Sequence, residues 1–97
     1  MKGKTKSGFK FDVNEAVVDD WDTMKAIADM DSGDASRVLQ GTVKFVNIVL
    51  GKDEDALVEH IRSKNNGSCP QDAMFNEVME IIDSIKEIKN SQSSQGS

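Results

Sequence analysis

Apolar and polar positions alternate along this chain with two different periods. In "KGKTKSGFKFDV", residues 2 to 13, Phe9, Phe11 and Val13 alternate with polar residues, the spacing of a half-buried strand. Ser7-Gly8 is a turn signal, so a hairpin from Lys2 to Val13 is predicted. Two strands alone are barely stable. The three apolar residues must therefore pack on helices. The period then lengthens. Asp12 and Glu15 have the spacing of a capping box, and Val17, Trp21, Met24 and Ala28 follow at spacings of four, three and four. This predicts a helix from residue 13 or 14 to Met30, open to a break near Asp19, with Ile27 at the edge of its apolar face. On this reading Trp21 faces inward, pinning the helix against the hairpin phenylalanines and the later helices, while Asp19, Asp20 and Asp22 point to solvent.

"DSGD", residues 31 to 34, ends that helix, and Asp34 can cap the next. Ala35, Val38, Leu39, Thr42, Val43, Val46, Val49 and Leu50 form one wide stripe. Phe45 falls at its rim, and Ile48 lies on the polar side with Arg37, Lys44 and Gly41. Gly51 is a stop signal. Asp53, Glu54 and Asp55 suit the start of a third helix, whose short inward face holds Leu57 and Ile61, and "NNG" at 65 to 67 ends it. "SCPQD" opens a fourth, with Pro70 in its first turn. Met74, Val78, Ile81, Ile85 and Ile88 make a heptad-like seam, and Phe75, Met79 and Ile82 form a second stripe beside it. The fold class expected is α+β, mostly α: a short N-terminal hairpin packed on about four helices, in one domain over residues 1–89. Residues 90–97, "NSQSSQGS", hold nothing to bury and are expected to be disordered.

Composition narrows the class. Ninety-seven residues with 37% apolar and 5% aromatic content allow one small, aliphatic core. The net charge of −5 disfavours general nucleic-acid binding. The basic arm of Lys2, Lys4, Lys6 and Lys10 is read as keeping an edge strand soluble. One cysteine cannot form an internal disulfide, and neither a signal peptide nor a membrane span is expected. A reducing cytoplasm is the default compartment.

The chemistry readings are weak. "DMDSGDASRVLQ", residues 29 to 40, opens like a calcium loop but places Gly33 fifth, Asp34 sixth and Gln40 twelfth, where an oxygen ligand, a glycine and a bidentate Glu belong. One Cys and one His do not make a zinc site. Cys69 and His60 could meet across the loop that joins their helices, but no orienting or oxyanion motif accompanies them. No catalytic, metal or cofactor residue is assigned, and no enzyme is expected. What remains is surface for a partner: Phe45, Ile48, Phe75, Met79 and Ile82 lie at or beyond the edges of the main stripes and are the candidate contacts.

The order of these pieces, "FKFDV", "VVDDWDTMKAIADMD", "VLGKDEDALVEHIR" and "NNGSCPQDAMFNEVMEIIDSI", resembles the tail assembly chaperones of siphovirus-type phages and prophages of Gram-positive bacteria. The resemblance covers about residues 5 to 88. It implies a non-enzymatic protein of the bacterial host cytoplasm that transiently binds the tape measure protein, keeps it soluble, helps recruit tail tube subunits and is absent from the mature virion. Self-association stays open. The alternative is a small acidic regulatory protein that binds a host or phage protein through Asp19, Asp20 and Asp22.

Overall fold

The computed structural model describes residues 1–95. It has the architecture expected: a two-stranded antiparallel hairpin packed on helices. Strands β1 (Lys2–Lys4) and β2 (Lys10–Asp12) pair Gly3 with Phe11. Gly8, at φ 101°, makes the turn with Ser7, and its N–H donates to the Thr5 carbonyl. Phe9, Phe11 and Val13 are all buried. Gly3 is a space requirement, because a Cβ there would lie 2.4 Å from the Phe11 ring and 2.8 Å from Ser84 Oγ. The missing side chain lets the hairpin lie flat on the last helix with the Phe11 ring across β1.

Helix α1 is a single turn, Glu15–Val18, and α2 runs Trp21–Met30, so the one helix predicted up to Met30 is two, divided at Asp19 and Asp20, where the sequence reading leaves a break open. The caps differ from the predicted capping box. Asn14 accepts from Ala16 N–H at the start of α1, and Asp20 accepts from Asp22 N–H at the start of α2. Helix α3 spans Ala35–Phe45, capped by Asp34 as expected, and continues into a π-helical segment over Val46–Leu50 and a 3-10 turn over Gly51–Asp53. Helix α4 follows at Glu54–Lys64 and α5 at Gln71–Gln95. The backbone of α5 is helical past residue 90, where a disordered tail was expected. No glycine or proline falls between 71 and 95 to end it. The part of that expectation concerning residues 96 and 97 lies outside the described residues.

The main difference from the sequence reading is rotational. Val17, Trp21, Met24 and Ala28 were expected to face inward. The residues of α2 that are buried are instead Thr23, Ala26 and Met30, while Trp21 is 73% exposed and Met24 39%. Helix α3 is turned as well: Phe45 is 1% exposed, and Leu39 and Val43, placed in its inward stripe, are 43% and 51% exposed. The cause is Gly41. A Cβ built there would come within 2.6 Å of the Ala26 carbonyl oxygen, 2.8 Å of Asp29 Cβ and 2.9 Å of Met30 N. The α3 backbone therefore lies directly on α2 at this point, and α2 with α3 forms the most extensive contact between elements. An Arg37–Asp29 ion pair at 3.0 Å brackets the same seam. Hydroxyls absorb the polarity of the buried faces: Thr23 donates to the Val17 carbonyl and Thr42 to the Val38 carbonyl, both at 2.7 Å.

Helix propensity alone makes Gly41→Ala stabilising by about 1 kcal/mol. The close approach reverses the sign. We expect a loss of about 1–3 kcal/mol, as for other overpacked sites, read as a lower urea midpoint at unchanged slope. A variant as stable as the parent would show that α2 and α3 are not in this contact.

Candidate functional site

Two apolar surfaces are left uncovered, and both follow from the seating of α2 on α3. On α2, Trp21, Met24 and Ala28 lie about 140–160° round the helix from Ala26 at 100° per residue and face solvent. Acids surround this face, but each has a local task. Asp19 bonds Lys89 on α5, Asp20 caps α2, and Asp22 lies 3.7 Å from Lys25.

On α3, Leu39 and Val43 lie about 160° from Gly41 by the same count. They line an open groove of about 600 Å³ between α3 and the start of α5. Val38, Thr42 and Val46 share the α3 wall, Met74 and Phe75 form the α5 wall, and Cys69 sits at the end of the preceding loop. The charged side chains of the lining are Glu54 and Asp72, both in the first turns of their helices.

The five expected contacts separate into two groups. Phe45 and Ile82 belong to the core, at 1% and 3% exposure, so neither is open to a partner in this structure. The Gly41 seam turns Phe45 inward, and Ile82 packs beside Val78, Ile81 and Ile85. Ile48, Phe75 and Met79 are half-buried against that core, and of these only Phe75 reaches the groove. Trp21, Met24, Leu39 and Val43 are the exposed large apolar residues that the sequence reading assigned to the interior. The signal that could have found them is a glycine in mid-helix, at position 41.

Cys69 and His60 have different surroundings. Cys69 lines the groove. His60 instead joins a polar cluster that ties the hairpin to α4 and α5. Glu77, on α5 and 7% exposed, accepts from Ser7 Oγ at 2.5 Å and from Thr5 Oγ1 at 3.0 Å. His60 Nε2 lies 2.9 Å from Ser7 Oγ, and the His60 ring packs 5.6 Å from that of Phe9. Because the serine hydrogen is given to the carboxylate, His60 must donate its own Nε2 hydrogen to Ser7 Oγ. A serine nucleophile needs the reverse: an unprotonated nitrogen facing the hydroxyl, and a carboxylate on the other side of the ring. The cluster acts as a fastener. Its members are 53 and 70 positions from Ser7, and no spacing rule connects them. No buried side-chain polar atom among the described residues lacks a partner.

Among the described residues no three His, Cys, Asp or Glu converge as a metal site requires, and no helix is long and apolar enough to cross a membrane. No protein-family model, curated protein or solved structure matches the chain significantly.

Two aromatic truncations read the rotation directly. Trp21→Ala should change stability by no more than about 0.5 kcal/mol, as for exposed sites, and Phe45→Ala should cost about 3–5 kcal/mol. The chain has one Trp and no Tyr, so its emission should be water-like and freely quenched by acrylamide, a neutral quencher that the surrounding acids do not repel. A blue-shifted, protected emission would put Trp21 back in the core. In the fastener, Glu77→Ala leaves the Thr5 and Ser7 hydroxyls without their acceptor. It should cost about 1–3 kcal/mol, measured by urea denaturation.

Proposed function

We propose that this protein is a tail assembly chaperone of the siphovirus type, which transiently binds the tape measure protein, keeps it soluble and helps recruit tail tube subunits. The observation that carries the reading is the uncovered apolar surface on both α2 and α3. Soluble monomers keep contiguous apolar patches small, and larger ones mark interaction sites. Here Trp21 and Met24 stand exposed on one helix, and Leu39 and Val43 on the next. A long helical client offers amphipathic segments that such faces can cover. The net charge of −5 keeps copies apart along that client. The order of the hairpin and helices over residues 5 to 88 supplies the identity of the client by resemblance. The same proposal places the protein in the bacterial host cytoplasm and outside the finished virion.

The acidic regulatory reading has less support. Asp19, Asp20 and Asp22 serve an ion pair, a helix cap and a near-neighbour lysine within the chain itself.

Co-expression with a tape measure protein of a siphovirus-type phage tests the proposal. The client should move from the pellet to the soluble fraction, and it should co-purify with this chain. Equal insolubility with and without the chain would remove the chaperone reading. A Trp21→Ala, Val43→Asp double variant should retain its helical signal and lose most of the solubilising effect.

A further inference from the structure

The groove between α3 and α5 has a composition that specifies its occupant. Its walls are apolar, with Leu39 and Val43 facing Met74 and Phe75, and its charged lining consists of Glu54 and Asp72. Neither acid forms an ion pair among the described residues, where five pairs of Lys, Arg or the N-terminus with a carboxylate occur elsewhere. An α-helix is about 10–12 Å across with its side chains. A groove of about 600 Å³ therefore takes one stripe of its side chains, not the whole helix. A second copy of this chain is a poor occupant, because it brings a net charge of −5 to an acidic rim.

We infer that the groove binds an amphipathic helix whose apolar residues recur at i, i+3, i+4 and i+7 and whose flanks carry Lys or Arg to meet Glu54 and Asp72. This rests on the reading of the protein as a holder of helical clients, and it supplies the chemistry of the client segment. The apolar stripe gives the affinity. The acids select the sign of the flanks and set the orientation.

The test uses the full chain and three synthetic helical peptides. One has the apolar stripe with Lys and Arg flanks, one has the same stripe with Glu flanks, and one has the basic composition with the stripe scrambled. Binding is followed by fluorescence anisotropy of the labelled peptide, and the site is reported by the rate at which Cys69, half-buried in the groove, reacts with a thiol reagent. The basic striped peptide should bind, slow that reaction, and lose affinity as salt rises. Leu39→Asp and Val43→Asp, both at exposed positions, should weaken it by roughly tenfold or more with the helical signal intact. Glu54→Gln with Asp72→Asn should flatten the salt dependence.

Equal binding of the acid-flanked or scrambled peptide overturns the inference. So does binding that ignores Val43→Asp, or Cys69 protection that grows with protein concentration alone. If the basic peptide binds as described while the tape measure protein stays insoluble, the chaperone reading falls and the groove assignment stands. If the client is solubilised while no peptide protects Cys69, the groove assignment falls and the chaperone reading stands.

Discussion

The contact on which the rest of the molecule depends is the seating of α3 on α2 at Gly41. A side chain there would overlap the Ala26 carbonyl and the Met30 amide, so the two backbones meet where ordinary helices keep 8–10 Å between their axes through side chains. Once Gly41 faces α2, the phase of both helices is set. Phe45, one turn on, enters the core, and Leu39 and Val43 turn away. On α2, Ala26 and Met30 face the seam, which carries Trp21 and Met24 to the surface. Both apolar surfaces assigned to partner binding thus follow from one close approach.

A second constraint is polar and sits where the hairpin meets the helices. The hairpin buries three apolar residues but is too short to stand alone. Glu77 supplies a buried carboxylate that accepts from Thr5 and Ser7, and His60 donates to the same serine from α4. Gly3 lets β1 lie close against Phe11 and Ser84. Apolar burial holds the hairpin down, and the directional bonds fix its position along α5. In a domain of this size, where net stability is only about 5–15 kcal/mol, such a fastener counts for more than its few bonds suggest.

The acids of the chain divide by task. Those around Trp21 cap a helix or pair with lysines, so they are accounted for by the fold. Glu54 and Asp72 sit in the first turns of α4 and α5, where negative charge suits the helix dipole, and also line an apolar groove without a basic partner among the described residues. That combination gives the groove a sign as well as a shape. It separates a surface that merely lacks cover from one suited to helices with basic flanks.

The periodicity of the apolar positions determined the hairpin and the number and order of the main helices, and left a break near Asp19 open. Local physics governs these: strand and helix periods, Asx caps and glycine stops act over a few residues. The same pattern placed Trp21, Met24, Leu39 and Val43 in the interior and Phe45 at a rim, because a helical stripe shows which side is apolar and not which part of a wide stripe a neighbour covers. Half the circumference of α3 is apolar, and one small residue outside the stripe decided its seating. The polar cluster joins residues more than 50 positions apart, and the groove exists only because α5 starts beside α3. Elements were legible in the sequence because each is a local minimum. The faces they expose were decided by the closest backbone approach in the folded chain, which Gly41 permits but apolar periodicity does not encode.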